Sequence, residues 1–315
     1  MMVRMAFFLG IDAGGTKTVC AIGDETRILA RAQGGSIKHM RVGKEQAGEN
    51  LRAVVGEALQ AAGVRADQIA SSCVGTAGSR IPSFAAWVMQ SLEELVSGKV
   101  EVCGDDEVAL DAAFPGGAGV LVVAGTGSNI AGRTSTGALV NAGGWGPALG
   151  DEGSGYWIGH TALCAAFRAY DWGEPTMLLE RVTAFWSLPE LGEVVAYANK
   201  IPAPDFSRLT PLVVECAEAG DAVATQTLLD AGRYLAEFAL LACRKVRHAE
   251  PDGPIPGFAF TGSVLANISM VRETMTEQIR RALPAAHIAQ EPVDPLEGAL
   301  WRARHAVGAA AAIMH

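Results

Sequence analysis

Residues 7–24 read Phe7-Phe-Leu-Gly-Ile-Asp-Ala-Gly-Gly-Thr-Lys-Thr-Val-Cys-Ala-Ile-Gly-Asp24. The apolar run before Asp12 predicts a buried strand, Gly14 and Gly15 predict a tight turn with positive φ, and the residues after Lys17 predict a second strand. A turn stripped of side chains presents backbone N–H groups to an anion, to which Thr16 adds a hydroxyl and Lys17 a charge. A carboxylate at the mouth of a phosphate site repels its ligand unless a cation lies between them. Asp12 therefore predicts Mg2+ held through water. Taken alone, the same residues also describe an ordinary glycine-rich hairpin.

More than a hundred residues downstream the pattern returns: Gly119-Val-Leu-Val-Val-Ala124, then Gly125-Thr126-Gly127-Ser128, then Asn129-Ile-Ala-Gly-Arg-Thr134. Two strand, Gly/hydroxyl turn, strand units a domain apart predict a duplicated α/β architecture whose paired turns hold one polyphosphate from opposite sides. This organisation resembles that of the actin-like superfamily of ATPases and sugar kinases. The chain contains no Gly-x4-Gly-Lys-Ser/Thr loop and no Gly-x-Gly-x-x-Gly opening a helix, which argues against P-loop and nicotinamide-binding alternatives.

A chain of 315 residues, half of them apolar, has material for two cores. Net charge of −9 with no Lys/Arg run argues against a nucleic-acid surface and points to a small-molecule partner. The apolar stretches are strand-length or carry charges, and Met1-Met-Val-Arg4 has no signal-peptide pattern, so the expectation is a cytoplasmic protein without a membrane segment. The six cysteines form no Cys-x-x-Cys pair and have no histidine at ligand spacing, so they read as reduced, mostly buried thiols.

Strands are expected at 28–32, 69–76 and 99–103, alternating with helices at 44–62, 81–96 and from about 108. Pro115-Gly-Gly117 reads as a hinge. The domains are then 1–117 and a larger, helix-rich 118–315, separated by a cleft. The second carries helices at 155–170, 175–186, 206–219 and 221–247, a strand at 257–261 with a helix after it, and a last helix at 296–311.

Val100-Glu-Val-Cys-Gly-Asp105-Asp106-Glu107 ends a strand in three carboxylates. Ligands gather at the carboxyl ends of strands in open α/β sheets, and phosphoryl transfer to an alcohol needs a carboxylate that accepts the hydroxyl proton. Asp105 is the first choice as base and Asp106 the reserve; an acidic N-cap and first helical turn is the competing reading. In Asn141-Ala-Gly-Gly-Trp-Gly-Pro-Ala-Leu-Gly-Asp-Glu-Gly-Ser154, Gly143 and Gly144 allow close backbone approach to a ligand and Trp145 offers a flat face to a sugar ring. Asp151 and Glu152 accept hydrogen bonds from hydroxyls, whereas Ser154 reads equally as a helix cap. His39 and His160 lie near these loops without a metal-site companion, and both read as structural.

The motifs IDAGGTKT at 11–18, AGTGSN at 124–129 and GGWGPALGDEGSGYWIG at 143–159, together with the Asp105 site, resemble the N-acetylglucosamine kinase family. That family is grouped with the BadF/BadG/BcrA/BcrD ATPases, which serve benzoyl-CoA reductase and 2-hydroxyacyl-CoA dehydratase. The likeness continues through Phe260-Thr-Gly-Ser-Val264, similar to the adenosine-side turn, to Glu297-Gly-Ala-Leu300. The resemblance implies a two-domain actin-like, ribonuclease H-like fold and ATP-dependent 6-phosphorylation of an amino sugar, N-acetylglucosamine first. It also implies Asp105 as base, Gly144, Trp145 and Asp151 around the sugar, Thr16 and Thr126 at the phosphates, Gly262 and Ser263 toward the nucleoside, and a homodimer. Glucosamine as acceptor, and an ATPase activator of a reductase or dehydratase, are the alternatives. Two positions depart from the family pattern: Lys38 stands where an Asn often meets the sugar, and Ala77 where a Ser does. An inward Lys38 weighs against an acceptor bearing a protonated amine.

Overall fold

The computed structural model describes residues 6–313 of the chain. They divide into two compact units: residues up to Gly117 together with those from Val293 onward, and Ala118–Pro292.

The first unit is built on a five-stranded sheet in the order β3-β2-β1-β4-β5, with β1 at Phe7–Ala13, β2 at Lys17–Gly23, β3 at Ile28–Gly35, β4 at Ile69–Thr76 and β5 at Lys99–Cys103. Short turns make β1, β2 and β3 antiparallel neighbours, while β4 and β5 join in parallel through the crossover helices Lys44–Ala62 and Pro82–Glu93. Period-two alternation sends Leu9, Ile11, Cys20 and Ile22 to the face covered by Leu51, Val54, Phe84 and Val88 of those helices. Phe8, Ala21, Cys73 and Cys103 point to the opposite face.

That opposite face corrects the sequence expectation for the last helix. The helix Pro295–Ile313, expected with the second half, covers the first sheet with Leu296, Ala299, Leu300 and Ala303. Its packing against the helix Asp105–Ala113 is so close that a Cβ at Gly298 would lie 1.7 Å from the Val108 carbonyl oxygen, which requires glycine there. Periodicity showed that this segment has an apolar stripe; it carried no information about which sheet lacked a cover. Strand β3 also runs three residues longer than expected, and the helix expected from about residue 108 begins at Asp105.

The second unit carries a four-stranded sheet ordered β8-β7-β6-β9: β6 Gly119–Ala124, β7 Ser128–Arg133, β8 Leu139–Ala142 and β9 Gly257–Thr261. β6 pairs antiparallel with β7 and parallel with β9, repeating the β1 relation to β2 and β4. This duplicated sheet plan is the two-domain actin-like fold. The strand β8 and the helix Leu191–Ala198 were not anticipated. The helix expected over 175–186 is confined to Leu178–Phe185, because Asp221 takes the Thr176 hydroxyl and the Met177 N–H at its entrance. Among the described residues no helix is long and apolar enough to cross a membrane.

Candidate active site

In the first unit β1 delivers Asp12 to the mouth of the hairpin. The turn does not use the backbone expected of it, since neither Gly14 nor Gly15 has a positive φ. A Cβ at Gly14 would be a tight fit, 3.2 Å from the Lys17 carbonyl oxygen. A strap over residues 36–41 holds the turn from outside. The Ser36 hydroxyl donates to the Gly14 carbonyl at 3.5 Å, Arg41 donates to the Gly15 carbonyl at 3.1 Å, and the Asn50 amide donates to the Ser36 carbonyl at 2.8 Å. Thr16 and Lys17 are exposed.

Burial pushes the Asp12 carboxyl up to about 6, helped by the negative charges of Asp105 and Asp294 and opposed by Lys17 and Lys38. Burial also raises the Asp105 carboxyl, with Asp106 adding to the shift and Lys38 opposing it. The fold thus assembles Asp12, Asp105, Lys38, Lys17 and Asp294, and sequence reasoning missed the last of these. Its only local signal was a helix cap: Asp294 accepts the Leu296 N–H at 3.1 Å and pairs with Arg31 at 2.5 Å.

The three carboxylates after β5 occupy the first helical turn, so the capping reading and the functional one describe different residues. Asp106 is buried, accepts the Glu107 N–H at 3.0 Å and faces Arg80 at 3.7 Å. Glu107 accepts the Gly104 N–H at 3.0 Å and meets Arg302 at 3.2 Å. Asp105 accepts the neighbouring Asp106 N–H at 3.1 Å and its own backbone N–H. Ala77 is exposed in the turn after β4, which is tied to the end of β1 by the Thr76 hydroxyl on the Ala13 carbonyl at 3.2 Å.

In the second unit the Gly125–Gly127 turn is closed by a bond from the Gly125 N–H to the Gly127 carbonyl at 2.9 Å. The N–H groups of Gly155 and Tyr156, in the first turn of the helix Gly155–Trp172, donate to the carbonyls of Gly125 and Thr126 at 2.8 and 3.1 Å. Gly125, Thr126 and Ser263 line a cavity of about 350 Å³, completed by Thr210, Pro211 and Asn267. The structure thereby joins two sequence motifs and adds residues that no sequence signal indicated, Thr210, Pro211 and Asn267 among them. Gly262, with φ of 98°, is obligatory beside it, since a Cβ would lie 2.3 Å from the Ala124 carbonyl oxygen. The Ser128 hydroxyl, expected at phosphate, is instead given to the Glu152 carbonyl at 3.0 Å.

The glycine-rich loop divides between two tasks. Asp151 is buried in the left-handed region at φ of 63° and braces the loop, accepting the Gly146 N–H at 2.8 Å and the Ser128 N–H. Ser154 caps the following helix by accepting the Trp157 N–H at 3.1 Å. Gly144, at φ of 72°, and Trp145, 74% exposed, are presented outward. His39 packs on Phe84 and Trp87, and His160 on Tyr156 and Phe206. Cys73 and Cys103, distant in sequence, bring their sulfurs to 3.7 Å beside Glu101, but both are buried.

Comparison with known proteins follows the same lines. The model of the BadF/BadG/BcrA/BcrD ATPase family matches residues 9–303. An N-acetylmuramic acid/N-acetylglucosamine kinase of Clostridium acetobutylicum is 31% identical over 236 residues, 73% of this chain and 77% of that protein. An N-acetyl-D-glucosamine kinase of Dictyostelium discoideum is 28% identical over 309 residues, 93% and 96% of the two chains. The solved structure of a provisionally named N-acetylglucosamine kinase from Chromobacterium violaceum superposes with a TM-score of 0.73 at 25% identity, covering 94% of this chain and 98% of that one.

Proposed function

Since the chain belongs to the BadF/BadG/BcrA/BcrD ATPase family, we propose that it is an ATP-dependent sugar kinase that phosphorylates the 6-hydroxyl of N-acetylglucosamine, with Asp105 as base. The observation that carries the reading is the contrast among the three carboxylates after β5: Asp106 and Glu107 face Arg80 and Arg302, whereas the hydrogen bonds to Asp105 come from backbone N–H groups, its own and that of Asp106. A base for an alcohol needs a carboxylate free to accept a proton and placed where water is scarce, and burial that raises the Asp105 carboxyl supports both requirements.

The chain's own groups fit the two partners this chemistry requires. Asp12, a carboxylate raised by burial and by the charges of Asp105 and Asp294, suits Mg2+ held through water. When bound, that ion would neutralise phosphate charge. The cavity at Gly125, Thr126 and Ser263 suits the nucleoside end of ATP, and the exposed Trp145 with Gly144 suits the sugar. Lys38, whose charge reaches both Asp12 and Asp105, favours an acetylated nitrogen over the protonated amine of glucosamine.

An ATPase activator that joins a redox partner through a metal cluster needs accessible ligating cysteines. The close pair here, Cys73 and Cys103, is buried against the C-terminal helix, which favours the kinase reading. The test is ADP release with Mg-ATP across N-acetylglucosamine, glucosamine, N-acetylmannosamine, N-acetylmuramic acid and glucose, with the product's phosphorylated oxygen located by NMR. ADP release that no sugar stimulates would sink the kinase reading.

A further inference from the structure

We propose that Lys38 is a catalytic residue, its ammonium neutralising the phosphoryl group as that group passes from ATP to the sugar; this rests on the kinase reading above. Three observations place it. Lys38 sits within the strap whose ends grip the phosphate turn, Ser36 on the Gly14 carbonyl at 3.5 Å and Arg41 on the Gly15 carbonyl at 3.1 Å. Its backbone is held as well: its N–H donates to the Ser36 hydroxyl at 3.2 Å, and its carbonyl accepts from Arg41 and Val42 at 2.8 and 3.2 Å. The half-buried side chain, by contrast, has no hydrogen bond or ion pair on its ammonium among the described residues. Its charge is nevertheless felt at both Asp12 and Asp105, and Asp12 also feels Asp105.

The group that must come between a base and a metal-side carboxylate in phosphoryl transfer is the phosphoryl itself. The sugar 6-hydroxyl gives its proton to Asp105 as its oxygen bonds to phosphorus. The bond from phosphorus to the ADP oxygen breaks, and ADP leaves with that electron pair. Charge on the equatorial oxygens is what a fixed ammonium stabilises. An ammonium on a tethered strap serves this purpose without stability being lost to a buried, unpaired charge, because it is only half withdrawn from water.

Lys38→Met and Lys38→Arg, compared with wild type, test the assignment. With N-acetylglucosamine and N-acetylmuramic acid as acceptors, Lys38→Met should lower kcat about 100-fold for both, with KM values changed by less than about threefold. Lys38→Arg should recover part of the loss. By calorimetry Lys38→Met should leave ADP affinity intact and weaken ADP with fluoroaluminate, a mimic of the phosphoryl in flight, by a factor similar to the kcat loss. An unchanged kcat, or fluoroaluminate binding unchanged, overturns the proposal. A loss confined to N-acetylmuramic acid also overturns it and makes Lys38 a reader of the sugar's carboxylate. If wild type turns over no sugar, the kinase reading fails by itself. Lys38 is then judged by calorimetry alone, where equal effects on ADP and ADP-fluoroaluminate defeat the assignment.

Discussion

Arg302 meets Glu107 at 3.2 Å, and Glu107 in turn accepts the N–H of Gly104, so the residue that precedes Asp105 is tied to the C-terminal helix. The same guanidinium reaches Glu101 at 2.8 Å and Asp111 at 2.5 Å. Removing it would leave Asp111, which is 1% exposed, short of its cation. Arg302→Met should cost roughly 3 kcal/mol, as expected when one partner of a buried ion pair is lost, with Arg302→Lys intermediate. Denaturant midpoints check this, and a loss below about 1 kcal/mol would show that the network is well solvated.

Asp105→Asn should lower kcat by about 10² to 10⁴ while ADP and sugar affinities by calorimetry stay close to wild type. A fully active variant would remove Asp105 from the role of base.

The pH dependence follows from two raised carboxyls. If Asp105 is the base it must be ionised to accept a proton, and kcat/KM should then fall as pH drops through its raised value. For Asp12 the effect is on stability. Its carboxyl goes from 3.8 to about 6 on folding, so the metal-free fold is favoured by the protonated form below pH 4 and loses that advantage as pH rises through about 6. At about 1.4 kcal/mol per unit the loss is about 3 kcal/mol. Metal-free Asp12→Asn should therefore melt higher than wild type at pH 7.5, differ little at pH 4, and be inactive. Equal melting temperatures at pH 7.5 would contradict the burial of this charge.

Trp145 is 74% exposed, so Trp145→Ala should change stability by no more than about 0.5 kcal/mol. If the indole is the sugar platform, KM for the sugar should rise about tenfold or more, the equivalent of about 1.4 kcal/mol. An unchanged KM would take the ring away from the sugar.

Gly262→Ala would force a side chain into φ of 98° and a Cβ to 2.3 Å from the Ala124 carbonyl oxygen. A loss of about 1–3 kcal/mol from the backbone conformation alone is expected, with weaker ADP binding because Ser263 is displaced from the cavity. Calorimetry and thermal melting on the same sample read both effects, and an unaltered ADP affinity would separate Gly262 from the nucleotide.

Much of the architecture was legible in the sequence because its signals are short-range. The helix Lys44–Ala62 and the strands Ile69–Thr76, Lys99–Cys103 and Gly257–Thr261 run over the residues that periodicity and turn chemistry predicted. Both Gly/hydroxyl hairpins are present for the same reason. The site was legible only as separate motifs. Gly14 and Gly15 showed where the turn lies but not its φ, since crowding at the Lys17 carbonyl is a contact in space. Asp151 read as a free acceptor because the N–H groups of Gly146 and Ser128 that engage it appear only when the loop folds back on its own hairpin.

From its sequence alone this chain was determined to be a duplicated, hairpin-led α/β protein with a carboxylate at the end of β1 and three more after β5. Those features depend on residues within a turn or two of one another. Tertiary structure decided which charges meet. It brought Asp294 near Asp12, set Lys38 in the strap that holds the Gly14–Gly15 turn, and gave Asp106 and Glu107 the cations Arg80 and Arg302 while leaving Asp105 to backbone N–H groups. The crossover helices and the C-terminal helix carry these residues together across the length of the chain, and electrostatic pairing depends on distance in space, which no local pattern encodes.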